Sequence, residues 1–411
     1  MILRSLSLVL LASLKMAALS LRVPSDRSFR LKAKQWKLQS SSKESLEPRE
    51  ALLTPNSDKG QPSSSFYDYA LLSLVPVVWG TYSPLMSFIF RPSADNCLPS
   101  PPPLLFNAAT FLVSYSLLST VQVLRRSSSQ PPNQTNSNLK GVSLATRIAG
   151  AELGLWLFLG SSSQLLALSQ PSASPIKAAV LIQSTTLLVP ILDVLLPSKE
   201  GGQSSSSSRP ALFFSSILVA IGILILTLRD GSGDPTLSSL SSLSLESSDG
   251  LILLAAIFYS LHVVRLSALS PASNPLTLSR MKSLAELCLC SLAIGLSLIV
   301  SSASLEQYTS FLSSFARASS FASIWPLLGA VLWSGGAATA LTNWAQSSGQ
   351  QRVSATTANL IYSSQPLWST VFAILLLHES IDGRTACGAA VLLTGIYSAI
   401  LAGDGKEEDA L

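Results

Sequence analysis

The sequence predicts an all-α membrane protein of ten transmembrane helices, arranged as two inverted five-helix repeats. Three observations carry this. The 411-residue chain is 48% hydrophobic and only 12% charged, with a mean hydropathy of +0.44. Soluble domains carry about 25% charged residues, so half that value points to lipid as the solvent. Long apolar runs recur along the chain, and a spanning helix needs about 20 largely apolar residues. Two of the runs, Ser174–Glu200 and Val353–Glu379, register when one is shifted by 179 positions. Ala179 falls on Ala358, Leu181 and Ile182 on Leu360 and Ile361, Gln183 on Tyr362, Ser184 on Ser363, and Glu200 on Glu379. The chain therefore reads as two copies of one hydrophobic unit.

Residues 1–20 are signal-like, with Arg4, the apolar run Leu6–Leu14, and small residues at Ala17 and Ala18. The run is too short to span as a mature helix. Residues 21–65 are transit-like and then disordered in composition. Leu21–Lys43 is basic and Ser-rich with a single acid, Asp26, and 44–65 is rich in Pro, Ser, Glu, Lys and Gly. A signal followed by a transit-like segment suggests the bipartite leader of a plastid bounded by extra membranes. A plain secretory leader and a mistranslated start stay open beside it.

Ten apolar segments follow: Tyr69–Phe90, Leu104–Leu124, Leu144–Leu168, Ile176–Leu196, Ala211–Leu228, Gly250–Leu266, Leu276–Val300, Ile324–Gln346, Val353–Leu377 and Thr385–Ala402. The first five make repeat 1 (69–228) and the last five repeat 2 (250–402), before a disordered tail at 403–411. Linkers such as Arg125–Lys140 and Asp230–Asp249 are polar. Backbone groups in lipid must be paired internally, and uninterrupted rather than alternating apolar runs select helices over barrel strands.

With both termini inside, the inside loops carry eleven basic residues: Arg125, Arg126, Lys140, Arg147, Lys199, Arg209, Arg265, Arg280, Lys282, Arg352 and Lys406. The outside loops carry five: Arg91, Lys177, Arg229, Arg317 and Arg384. The bias favours this orientation. An odd number of helices per copy makes the second copy enter from the opposite side. Such inverted repeats place a solute site near the midplane between copies. The sequon at Asn133 falls on an inside loop and is expected to be unused.

Several functions are excluded. The net charge of +5 reads as basic loops and leader, not a nucleic-acid surface. Cys97, Cys288, Cys290 and Cys387 lack metal-ligand spacing, and His262 and His378 are too few for a metal site. No phosphate loop, catalytic triad or paired-carboxylate motif is present, so no cofactor and no catalytic residue is expected. A gradient or exchange must supply the energy, through a coupling proton or a counter-substrate. The expected partners are the lipid bilayer and a small-molecule metabolite; the oligomeric state stays open.

Trp79-Gly80, the run 149–156 (AGAELGLW), Ala178–Ile182, the ninth-segment runs Ala358–Tyr362 and Gln365–Trp368 with His378-Glu379, and Gly388–Gly395 form an ordered set. In this set the chain resembles the EamA-type family of the drug/metabolite transporter superfamily, and looks most like its plastid members from plants and algae. The resemblance covers about residues 70–402. It implies ten helices in two repeats and a secondary active carrier or exchanger of small organic metabolites, working by alternating access across an organelle membrane. It implies no particular substrate. Asn107 stands where many relatives carry Arg.

Intramembrane acids cost up to about 3 kcal/mol at a helix centre, so they face the protein interior or a wet cavity. Glu152, with Trp156 on the same face, reads either as a proton-titrating or cation-recognising carboxylate or as an acid paired with Arg147. Glu286 has Lys282 at i−4, a local pair. Gln183 and Tyr362 occupy equivalent mid-depth positions. Gln164, Asn343 and Gln365 add amides, and Trp79 is placed to stack on a planar solute or to anchor at an interface. Pro190 and Pro366 mark candidate helix breaks, with freed carbonyls near Asp193. His262 reads as packing, Arg265 as a snorkelling end residue, and Glu200 and Glu379 as helix-end supports. Three alternatives remain. A sugar-phosphate or nucleotide-sugar carrier would want Lys or Arg inside the ninth and tenth helices. A membrane enzyme would want clustered His or Asp. A scaffold or receptor would want a closed apolar midplane.

Overall fold

The computed structural model describes residues 66–90, 99–129, 142–170, 178, 181–196, 209–227, 247–318, 321–377 and 383–404. The signal-like and transit-like segments, Asn133, Cys97, Glu200, His378 and Glu379 lie outside the described residues. Among the described residues, all regular structure is helical. The helices are α1 (Phe66–Gly80), α2 (Tyr82–Phe90), α3 (Pro103–Ser129), α4 (Leu144–Leu168), α5 (Thr185–Leu195), α6 (Arg209–Thr227), α7 (Ser247–Leu269), α8 (Pro275–Val300), α9 (Ser302–Arg317) and α10 (Phe321–Trp333). A π-helix (Ser334–Leu341), α11 (Thr342–Gly349), α12 (Ala355–Tyr362), α13 (Gln365–Leu377) and α14 (Gly383–Asp404) complete the chain.

Five helices are long and apolar enough to cross a membrane: Pro103–Arg125, Leu144–Leu168, Ser247–Leu269, Pro275–Val300 and Ile324–Gly349. Phe66–Gly80, Thr185–Leu195, Pro210–Ile223 and Ala386–Leu401 are shorter apolar helices. Three of the apolar segments are interrupted. The first breaks at Thr81, the fourth at Gln183–Ser184 and the ninth at Ser363–Ser364. The eighth widens from α to π at Ser334.

Local chemistry sets the ends. Ser143 Oγ accepts from Thr146 N (3.1 Å) at the start of α4, and Ser354 Oγ from Thr357 N (3.2 Å) at the start of α12. Asn274 Oδ1 caps α8 through Thr277 N (3.2 Å), with Pro275 in the first turn, where a missing N–H costs nothing. The stretch after the seventh segment forms α9. Its Tyr308 and Phe311 are buried while Leu305 and Leu312 are half exposed. An amphipathic helix of this kind lies along an apolar boundary and lacks the apolar length a spanning segment needs.

The burial pattern is inverted relative to a soluble domain. Ile299, Leu292, Phe214, Tyr397 and Leu112 are exposed, while Ser114, Ser260, Lys282, Ser283 and Ser334 are wholly buried. That is the distribution lipid selects. The broadest packings all join residues 66–227 to residues 247–404: α4 against α7 and α8, α3 against α8 and the π-helix, α1 against α11 and α13, and α6 against α14. Small residues permit the closest of these. A Cβ on Gly154 would stand 2.7 Å from both Ala285 Cβ and Lys282 O on α8, and one on Gly222 would stand 2.5 Å from Leu392 N on α14. A Cβ on Gly295 would meet nothing.

Gly154→Ala is therefore expected to destabilise the folded protein by roughly 1–3 kcal/mol through overpacking. Gly295→Ala should be neutral or stabilising by up to about 1 kcal/mol, because it relieves only a glycine penalty. Thermal unfolding of the two purified variants in detergent checks the contrast.

Candidate functional site: a polar cavity at the crossing of two broken helices

The breaks in the fourth and ninth segments meet. Thr186 Oγ1 and Ser363 Oγ share a buried hydrogen bond of 2.7 Å, and Asn359 Nδ2 donates to Thr185 O at 3.0 Å. Further along, Thr356 Oγ1 donates to Asp193 Oδ2 (3.2 Å). The breaks fall at Gln183–Ser184 and at Ser363–Ser364, the second directly before Gln365-Pro366. Ser363 Oγ and Ser364 Oγ turn back onto Asn359 O (2.9 Å) and Ile361 O (2.8 Å), satisfying carbonyls at the helix end. Pro366 then falls in the first turn of α13, where it is tolerated. Pro190 sits inside α5, past the break at Gln183–Ser184, so it does not mark the interruption.

The first segment is held at its own break from three sides. Gln365 Nε2 donates to Trp79 O (3.1 Å), Ser369 Oγ to Gly80 O (3.0 Å), and Trp333 Nε1 to Thr81 Oγ1 (2.9 Å). The Trp79 indole donates to Ala338 O of the π-helix (3.1 Å) and meets the Tyr362 ring edge-on, centroids 5.7 Å apart.

These interruptions surround a cavity enclosing about 1090 Å³ of empty space, its mouth included. Six of the sequence-selected residues line it: Trp79, Gln164, Gln183, Asn343, Tyr362 and Gln365. Sequence reasoning missed Tyr82, Asn107, Tyr259, Gln346 and Asn359, and treated the further lining residues His262 and Glu286 as packing and a local pair. The available signal was spacing: Tyr259 and His262 share one face of α7. Tyr259 Oη donates to Gln164 Oε1 at 2.9 Å. Four buried polar atoms of the lining have no protein partner: Thr110 Oγ1, His262 Nε2, Glu286 Oε2 and Asn343 Nδ2. Each unmet group costs about 1–3 kcal/mol, which a polar solute or solvent offsets.

Two selected residues lie elsewhere. Glu152 does not pair with Arg147, whose Nε donates to Val142 O (3.1 Å). It takes a two-pronged contact from Arg265, whose Nε reaches Oε1 and whose Nη2 reaches Oε2 (3.1 Å). Arg265 therefore does not snorkel. Trp156 stacks on Phe258, centroids 6.1 Å apart, outside the cavity lining. Lys282 is not a loop charge but is wholly buried on α8, its Nζ without a hydrogen-bond partner. A second ion pair joins Arg352 Nη1 to buried Asp68 at 3.1 Å. Both pairs join residues 66–227 to residues 247–404. They lie at one end of the bundle, because Ser270, just past Arg265, donates to Gln350 O (3.0 Å) beside Arg352. Gln351 Nε2 reinforces that end through Ser270 O (3.0 Å) and Ser273 O (2.8 Å).

Residues 246–401 match the EamA-like transporter family. A solved crystal structure shares the fold: it aligns over 83% of this chain and 99% of its own, at 16% identity and a TM-score of 0.54. No curated protein matches the chain.

Removing one member of the Glu152–Arg265 pair strands a partly buried charge. Glu152→Gln and Arg265→Met are each expected to cost more stability than the double variant implies, with a coupling of about 1–3 kcal/mol. A double-mutant cycle of thermal unfolding in detergent measures it.

Proposed function

We propose that the chain is a secondary carrier of a small organic metabolite, moving it by alternating access across an organelle membrane. The observation that supports this most is the cavity. It is lined from both halves of the chain by aromatic rings and amides, with buried polar atoms that no protein group satisfies. The family match over the second half supports a transporter, and the matching segments Ser174–Glu200 and Val353–Glu379 support two inverted five-helix repeats. The two cross-half ion pairs close one end, so passage there requires Asp68–Arg352 and Glu152–Arg265 to separate or move together. A plastid-type membrane is proposed from the leader composition alone.

In this reading Tyr362 and Gln183 bind the solute, and Trp79 packs against it. The rival phosphate carrier is disfavoured because no Lys or Arg is among the cavity-lining residues. A scaffold or receptor is disfavoured by the polar cavity itself.

Uptake into liposomes of purified protein, across a radiolabelled panel of amino acids, nucleobases, hexoses and hexose phosphates, is the test. Saturable uptake of at least one uncharged or zwitterionic solute is expected. Tyr362→Phe and Gln183→Ala should each weaken it about tenfold, the loss of one hydrogen bond in a dry site, while Glu306→Gln on α9 should not. Folded protein that moves none of the panel overturns the carrier reading, and uptake confined to hexose phosphates favours the rival.

A further inference from the structure

We propose that Glu286, with Lys282 and His262 beside it, is a proton-binding site in the cavity wall that couples solute movement to a proton gradient. The proposal rests on the carrier reading above. Glu286 is the single carboxylate among the cavity-lining residues. It is 2% exposed, and its Oε2 has no hydrogen-bond partner. Lys282 lies one helical turn earlier on the same face of α8 and is 0% exposed, its Nζ equally without a partner. His262 comes from α7, lines the cavity and is 1% exposed, with Nε2 unpaired. Lys282 is within electrostatic reach of both Glu286 and His262.

Three exchangeable groups buried together, each with a polar atom that no hydrogen bond satisfies, are an expensive arrangement for a scaffold. The other ion pairs show the contrast. Glu152–Arg265 and Asp68–Arg352 satisfy one another directly and lie outside the lining. The groups around Glu286 leave it as the exchangeable acid. From α7 Tyr259, whose hydroxyl is committed to Gln164, is within its electrostatic reach, and His262 is within that of Lys282. Tyr82 lines the same cavity from α2. On α8 itself Cys290 donates its Sγ to Leu104 O (3.2 Å). From α4 the approach is made by Gly154, whose added Cβ would stand 3.4 Å from Glu286 N, and α3 contributes Ser114 bonded to Ser283 (2.8 Å). Neither α3 nor α11 presents a charged group to the cavity; their lining residues are Asn107, Thr110, Phe111, Thr342, Asn343 and Gln346.

The chemistry is a proton binding and leaving. The Glu286 carboxylate takes a proton from the side to which the cavity is open and releases it on the other. Lys282 supplies the countercharge when the carboxylate is ionised, so the buried pair is near neutral in that state. Solute and proton thereby share one cavity, and the occupancy of one biases the other.

The experiment separates coupling from transport. Full-chain protein in liposomes is assayed with each panel solute in two modes: accumulation driven by an imposed pH gradient, and counterflow exchange at equal pH. Wild type is expected to accumulate solute under the gradient and to exchange without it. For Glu286→Gln, at whatever rate counterflow proceeds, an imposed pH gradient should add no accumulation above the level reached with no gradient. Glu286→Asp should restore accumulation with a shifted pH dependence. Pyranine trapped in the vesicles should report proton movement with wild type and none with Glu286→Gln. If Glu286→Gln fails to fold, Glu286→Asp decides: an unshifted pH dependence overturns the proposal. Wild type that exchanges solute but ignores the pH gradient also overturns it and leaves the carrier reading standing. Wild type without counterflow defeats the carrier reading itself.

Discussion

A backbone carbonyl or amide in lipid has no solvent to bond, so every interruption of a helix must be satisfied by another part of the protein. The site depends on this constraint. The fourth and ninth segments break at Gln183–Ser184 and Ser363–Ser364, and the first at Thr81. Carbonyls around the breaks are taken up by Asn359, Gln365, Ser369 and the break serines themselves. Because those partners come from different helices, the breaks are drawn to one place. The unwound turns there cannot pack as tightly as continuous helices, and the cavity is the result. The π-helix belongs to the same set, since Ala338 O receives the Trp79 indole.

Charge is distributed by the same logic. Buried charges are stable only with partners. At one end of the bundle acids and guanidiniums from opposite halves pair directly, and those pairs tie the halves together. Glu286 and His262 of the cavity lining, and Lys282 one turn from Glu286, are left with unbonded atoms.

The packing explains why the two halves act as a site and not as two bundles. The broadest contacts run between residues 66–227 and 247–404, through glycines whose missing side chains admit the facing backbone. Neither half completes the lining: Gln183 and Trp79 come from one, and Tyr362, Asn343 and Glu286 from the other.

Composition and run length alone determined that the chain is helical and lipid-adapted, since those depend on which solvent the side chains tolerate. The offset between Ser174–Glu200 and Val353–Glu379 also marked, in advance, the two segments that cross. Mid-depth amides and aromatics were legible for the same reason: a polar group deep in an apolar run must face protein or water, and six so chosen line the cavity. The sequence could not say which partner each charge finds. Glu152 had Arg147 nearby in the chain but meets Arg265, which lies 113 positions away. Glu286 had Lys282 one turn away, yet their facing atoms stay unbonded. Of the two prolines, Pro366 directly follows a break, whose serine hydroxyls satisfy the helix end, while Pro190 lies inside a continuous helix. Tertiary structure alone decided these points, because side-chain pairing in a bundle is set by which helices touch, and that contact is non-local.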